Sequence, residues 1–147
     1  MEMPLKRIVI AYLATLIALV AIDFVWLSFM AEKLYRPAMG DILLSEFKLA
    51  PAVLFYLLYA AGTVFLAMRP GIAANSLVTT LAHGATLGFT AYATYDLTNQ
   101  ATLKNWSLTL TIADIMWGTC LTAAAAGFAL QVVCRLSRSD IPGGHPR

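Results

Sequence analysis

Three aspartates interrupt stretches of the chain that are otherwise almost entirely apolar: Asp23, Asp96 and Asp114. An aspartate at the centre of a membrane-spanning helix costs about 2.5–3.5 kcal/mol on the insertion scale, whereas each Leu, Ile, Phe or Val contributes about −0.3 to −0.6 kcal/mol. A span rich in large apolar residues therefore inserts despite one acid. The acid must then face other helices rather than lipid, where such groups serve as proton relays and ion sites.

Two of these aspartates belong to the same short pattern, in which a tryptophan follows the acid by three positions: Asp23 with Trp26, and Asp114 with Trp117. This spacing places both side chains on one face of a helix, and a buried indole N–H usually needs an acceptor. The pattern has two interpretations, which the sequence leaves open. Either the rings pack beside acids that hydrogen-bond neighbouring helices, or the carboxylates are a matched pair that lines a ligand site.

The remaining candidates for ligand or proton binding are polar side chains in the segment 76–98 or directly after it: His83, Tyr92, Tyr95 and Asn99. A lone histidine in a span is more often a helix–helix hydrogen-bond partner than a proton carrier, and the tyrosines could equally be core aromatics. The same segment contains Gly84 and Gly88, a GxxxG spacing that lets a neighbouring helix approach closely. We expect it to be a packing device.

The composition indicates a membrane protein. Of 147 residues, 60% are hydrophobic and 12% are charged, about half the charged share of a soluble domain. The net charge of +2 does not indicate binding to nucleic acid. The lipid bilayer is the expected partner. The sequence has no HExxH, GxSxG, P-loop or CxxC motif. We therefore expect no cofactor and no metal site, and assign no catalytic residue.

Four segments are long and apolar enough to cross the bilayer, which needs about 20 residues: 8–30, 49–68, 76–98 and 106–134. The sequence thus predicts an all-α, polytopic membrane protein, a four-transmembrane-helix bundle formed by residues 1–136, with a short, polar, disordered tail at 137–147. We expect the first segment to be a retained span, because the best signal-cleavage position has the large Phe29 where a small residue is required.

The positions of Lys and Arg predict the orientation, since cytoplasmic loops are enriched in both. With the N-terminus inside, the inner side has Lys6, Arg7, Arg69, Arg135, Arg138 and Arg147, and the outer side has Lys33, Arg36, Lys48 and Lys104. This favours both termini inside (N-in/C-in), in a cell inner (plasma) membrane. The loop 31–48 is predicted to lie at the interface, with Tyr35 and Trp106 as anchors.

Helix rise places Asp23 and Asp114 at similar depths, in the outer half of the membrane. At 1.5 Å per residue, Asp23 lies about 22 Å from the inner edge and Asp114 about 12 Å below the outer edge of a core about 30 Å thick. Asp96 falls near the outer end of its span. We therefore expect one acidic cluster that opens outward.

The chain also resembles a bacterial membrane protein family known as domain of unknown function 2177. The resemblance depends on residues 55–62, on residues 91–99 with the Tyr95-Asp96-Leu97-Thr98-Asn99 stretch, and on the two Asp-Trp patterns. It covers nearly the whole chain except the tail. It implies that the three acids belong to the family pattern, and it brings no activity.

Three functional classes remain open. The first is proton-linked binding or transport of a small polar or cationic solute, because closely spaced carboxyl groups influence each other's protonation. The second is an accessory or assembly subunit of a larger membrane complex, or a homo-oligomer. The third is a membrane-embedded lipid-modifying enzyme with an aspartate as acid or base. The sequence favours the first.

Overall fold

The computed structural model describes residues 4–44 and 46–139, without the side chains of Asp41, Arg138 and Ser139. All regular secondary structure within these residues is helical. Its long helices are Leu5–Met39 (α1), Leu49–Ala73 (α2), Leu77–Thr102 (α3) and Leu108–Ser139 (α4). The predicted all-α fold is thus confirmed. The helix α4 extends past the predicted start of the tail at 137, and the rest of that tail, 140–147, lies outside the described residues.

The helices form an antiparallel four-helix bundle in which α4 is central. The helix α4 packs along α3 and also against α1. The first part of α2, Leu49–Thr63, packs on α1, whereas its later part, Val64–Met68 and Arg69–Ala73, packs on α3. We call the end of the bundle that contains the connections 40–48 and 103–107 the loop end. All three aspartates of the site lie in the half of the bundle nearer to it.

Small residues set the close approach of α3 and α4. A Cβ atom on Gly88 would lie only 2.1 Å from the carbonyl oxygen of Gly118, and one on Gly84 would lie 3.0 Å from the Cα of Ala123. No side chain fits in these gaps without moving the backbone of α4. The GxxxG pattern is therefore a packing device, as predicted, and its partner is α4 of the same chain.

Two helices contain a wider, π-helical turn, at Ala31–Tyr35 in α1 and at Val64–Met68 in α2. Each turn is followed directly by an Arg-Pro dipeptide, at 36–37 and 69–70. Proline lacks an N–H, and its ring collides with the carbonyl four residues earlier in a regular α-helix. A wider turn just before the proline gives the ring room, so both helices continue past it. The beginning of the predicted interface loop, up to Met39, is consequently helical.

Three of the helices, α1, α2 and α4, are long and apolar enough to cross a membrane. Large apolar side chains are also exposed on all four helices, among them Phe24 (70% exposed), Leu58 (64%), Val78 (76%) and Met116 (65%). A soluble protein rarely exposes a continuous apolar surface of this extent. The surface is therefore that of a protein in contact with lipid.

The helix α3 has the length of a span but is less apolar than the other three, because it carries several threonines. Several exposed threonines donate to the carbonyl four residues earlier: Thr86 to Ala82 at 2.9 Å, Thr94 to Thr90 at 2.7 Å and Thr98 to Thr94 at 2.5 Å. A hydroxyl satisfied within its own helix does not need water. These threonines are accordingly compatible with a position against lipid.

Candidate functional site

Asp23 is a buried carboxylate with a donor for each oxygen. Its side chain is 8% exposed. The hydroxyl of Tyr56, on α2, donates to Oδ2 at 2.5 Å, and the indole N–H of Trp117, on α4, donates to Oδ1 at 3.0 Å. Asp23 on α1 therefore connects three helices through two hydrogen bonds.

Asp114 receives its hydrogen bond from a residue that the sequence analysis assigned to the membrane interface. The Tyr35 hydroxyl donates to Oδ1 of Asp114 and accepts from the indole N–H of Trp26 at 3.0 Å. Tyr35 reaches this position because α1 continues through its π-helical turn. The second oxygen, Oδ2, accepts no hydrogen bond among the described residues.

The two Asp-Trp patterns are cross-linked rather than self-contained. Trp117 donates directly to Asp23, while Trp26 is linked to Asp114 through the Tyr35 hydroxyl. The two indole rings stack with their centroids 4.3 Å apart and their planes 9° from parallel. The i, i+3 spacing thus serves to place each tryptophan where it meets the opposite helix. We call these four side chains, together with Tyr35 and Tyr56, the aspartate–aromatic network.

Asp96 differs from the other two acids. It is fully buried, at 0% exposure, yet neither carboxylate oxygen has a hydrogen-bond partner among the described residues. The side-chain oxygen of Gln100, one helical turn further along α3, is buried without a partner as well. An unpaired polar atom in a water-free interior costs several kcal/mol. Asp96 and Gln100 are therefore neighbouring buried side chains whose oxygens accept no hydrogen bond from the described residues.

The three carboxyl groups are electrostatically linked, with Asp114 in the middle. Asp114 interacts with Asp23 on one side and with Asp96 on the other. The titratable groups that interact electrostatically with Asp114 are Asp23 and Tyr35 on α1 and Tyr92, Tyr95 and Asp96 on α3. Tyr59, on α2, lines a cavity with Asp114. No Lys, Arg or His is among these groups. The site thus collects acidic and phenolic side chains.

A cavity of about 310 Å³ lies beside Asp114, between the first part of α2 and α3. It is lined by Phe55, Tyr59, Ala91, Tyr92, Tyr95 and Asp114. The Tyr92 ring packs closely over Gly118, where a Cβ would lie 2.1 Å from the ring. Tyr59 is held by a 2.8 Å hydrogen bond with the Thr122 hydroxyl. Two of the four rings are thus fixed in position by α4.

The other predicted candidates occupy different places. Tyr95 is half-exposed and meets the Trp106 ring edge-on at 6.0 Å, with the Asn99 side chain beside it. His83 is exposed and lines a separate hollow with Leu66 and Thr86. The structure therefore brings Tyr95 and Asn99 to the edge of the site, and it does not bring His83 to the acids.

The sequence analysis gave no site role to three residues that the site uses, Tyr35, Phe55 and Gln100, and it did not include Tyr56 among its candidate site residues. Tyr56 was recognisable as a possible donor from its place in an apolar span near an acid. Tyr35 had no such signal, since its contact depends on a helix that continues beyond the predicted end of the span at residue 30. Gln100 lies four positions after Asp96, a spacing that could have indicated it.

The comparisons with known proteins support the membrane class and supply no activity. The family model for predicted membrane proteins called domain of unknown function 2177 matches residues 8–131. This range includes most of α1 and α4, all of α2 and α3, and all three acids of the site. No curated protein and no solved structure matches the chain.

Proposed function

This chain belongs to the membrane protein family called domain of unknown function 2177, and we propose that it binds a proton or a small cation at Asp96 and Asp114. We further propose that this binding is linked to the binding or transport of a small polar or cationic solute. The carboxyl group of Asp96 is the exchangeable group in this proposal. The other members of the aspartate–aromatic network hold Asp114 in place near Asp96.

The observation that supports this proposal most directly is the buried, unpartnered carboxyl group of Asp96. A bare carboxylate in a medium of low dielectric constant is too costly to persist, so the group takes up a proton or a cation instead. The neighbouring charge of Asp114 adds to that cost. Removing the proton is then favourable only when another positive charge enters, which is the requirement for coupling a proton to a cationic solute.

The alternatives are less well supported. An accessory subunit would need a free small-residue face for its partner, but Gly84 and Gly88 already pack on α4. A lipid-modifying enzyme would need a groove open to lipid beside an acid, and the cavity next to Asp114 has half-exposed Phe55 and Tyr95 at its edge. This second alternative is consequently retained, although the site contains no evident nucleophile.

The orientation with both termini inside remains a prediction, and it would place the acids nearer the outer face. It can be tested with Ser137→Cys in a background where Cys120 and Cys134 are replaced by Ser. A membrane-impermeant thiol reagent should label the new cysteine only after the cells are permeabilised. Labelling in intact cells would show that the C-terminus lies outside, which contradicts the predicted orientation.

Protonation of Asp96 can be tested by infrared difference spectroscopy in lipid nanodiscs during a pH titration. The wild type should show a carbonyl band of a protonated carboxyl group that disappears as the pH rises. Asp96→Asn should lack this band. Glu32→Gln is the matched control, because Glu32 is 74% exposed and paired with Arg36, so its removal should leave the band unchanged.

Coupling is then tested by solute binding and flux in liposomes at several pH values. Asp96→Asn and Asp114→Asn, each first shown to fold, should lose the dependence of solute binding and flux on pH. If both variants lose only stability or a co-purifying protein, and the infrared band is absent in the wild type, the acids are structural. The subunit interpretation would then replace the one proposed.

A further inference from the structure

We infer that the cavity beside Asp114 recognises an organic ammonium ion, a cation with alkyl groups on its nitrogen. This inference rests on the proposed function, since it names the class of solute that the acidic site accepts. It depends on three features of the cavity: its aromatic walls, the acid at its side and its access from the membrane.

The walls of the cavity are aromatic on two sides. Phe55 and Tyr59 come from α2, and Tyr92 and Tyr95 come from α3. Phe55 and Tyr59 are already stacked, with ring centroids 5.2 Å apart. Several aromatic rings around one space bind an alkylated ammonium ion through cation–π interactions, which are strongest when the cation is desolvated. An inorganic cation would instead require several oxygen ligands.

The charge at the cavity complements such an ion. Asp114 lines the cavity, and its Oδ2 atom accepts no hydrogen bond among the described residues. Asp96 lies one turn beyond Tyr92 on the same face of α3 and interacts electrostatically with Asp114. An ammonium group beside Asp114 would offset charge that the protein leaves uncompensated, whereas a neutral or anionic solute would not.

The size and position of the cavity also fit. A volume of about 310 Å³ lies at the lower end of the range for small-molecule pockets. Phe55 is 42% exposed and Tyr95 is 54% exposed, whereas Tyr59 and Tyr92 are more deeply placed. The first part of α2 packs mainly on α1 and leaves this gap to α3. The cavity therefore opens between α2 and α3, on a surface where the side chains face lipid.

The probe for this inference is choline, and its control is 3,3-dimethylbutan-1-ol, which has the same shape but a carbon in place of the charged nitrogen. Calorimetric titration of the full chain in nanodiscs should detect choline binding and no binding of the neutral alcohol. Equal binding of the two compounds would overturn the inference, because the cavity would then be a general apolar site, as for a lipid tail.

Variants locate the binding in the cavity. Tyr95→Leu should weaken choline binding by about three- to thirty-fold, the range expected for loss of one cation–π contact. Tyr95→Phe retains the ring and should bind nearly as tightly as the wild type. Asp114→Asn should weaken binding at least about tenfold. Choline binding that is indifferent to Tyr95→Leu and Asp114→Asn would place it elsewhere and contradict the inference.

The result is separable from the proposed function. If the infrared band of Asp96 is present and choline does not bind, the proton site stands and the organic ammonium ion is the wrong solute. If the band is absent and choline binds with the expected dependence on Tyr95 and Asp114, the cavity is a cation site without proton coupling.

Discussion

Asp23 and Asp96 are both buried aspartates in the same half of the bundle, yet their surroundings are opposite. Asp23 has a tyrosine hydroxyl on one oxygen and an indole N–H on the other. Asp96 is fully covered by protein atoms and has no partner on either oxygen among the described residues. The difference separates two uses of a carboxyl group within a membrane.

A carboxylate that accepts two good hydrogen bonds is held in one position, and it stabilises the packing of the helices that it joins. Tyr56 and Trp117 bring α2 and α4 to Asp23 on α1. A carboxyl group without donors joins nothing, so it adds a cost to folding that packing must offset. Such a group is retained where function needs it. We therefore expect substitutions at Asp23 to act on stability and those at Asp96 to act on binding.

The largest loss of stability is expected from Asp23→Ala. The change leaves the Tyr56 hydroxyl and the Trp117 N–H without their acceptor inside the bundle. Side-chain hydrogen bonds in membrane proteins contribute about 0.6 kcal/mol on average and up to about 1.7 kcal/mol, so the loss should be about 1–3 kcal/mol. Unfolding in mixed detergent micelles measures it. An unchanged free energy of unfolding would show that Asp23 does not hold the helices together.

Tyr35→Phe should have the next largest effect, because it removes the link between Trp26 and Asp114. We expect a loss of about 1–2 kcal/mol in the free energy of unfolding, together with altered tryptophan fluorescence from the stacked pair. The control is Tyr12→Phe, whose hydroxyl makes a single 3.3 Å bond to the Leu57 carbonyl at an exposed position. Equal effects of the two variants would argue against the contact between Tyr35 and Asp114.

Tyr56→Phe should have a smaller effect, about 0.5–1.5 kcal/mol, since Asp23 keeps its bond from Trp117. A double-mutant cycle with Asp23→Asn tests the contact directly. The two substitutions should combine to less than the sum of their separate effects, because both disrupt one hydrogen bond. Strict additivity would mean that the hydroxyl and the carboxylate do not interact in the membrane.

Features of the fold that depend on local sequence could be predicted, whereas contacts between distant residues could not. The spans and their acids depend on local composition, so the four helices and the buried positions of Asp23, Asp96 and Asp114 could be predicted. The pairing of Gly84 and Gly88 with a neighbouring helix was also predictable, since a missing side chain is itself visible in the sequence.

The partners of the acids were not predictable in the same way. Tyr35 was placed at the interface because it follows the predicted end of the first span at residue 30, whereas a π-helical turn carries α1 past Pro37 to Met39. The i, i+3 spacing placed each tryptophan on the same helix face as an acid, but it did not indicate that Trp117 donates to Asp23 across the bundle. Such contacts depend on helix rotation and tilt, which hydrophobic pattern alone does not determine.

The smallest expected change in stability is that of Asp96→Asn, and it is the sharpest test of the comparison. The substitution replaces a neutralised or protonated carboxyl group by a neutral amide of the same shape, so the free energy of unfolding should stay the same or rise by up to about 1 kcal/mol. Asp23→Asn is its matched control: the same chemical change should there destabilise the bundle, because the amide presents N–H groups where an acceptor is needed. Unfolding in mixed micelles compares the two variants under one condition. If Asp96→Asn destabilised the bundle as much as Asp23→Asn, then Asp96 would have a structural partner, and its role as the exchangeable group would be lost.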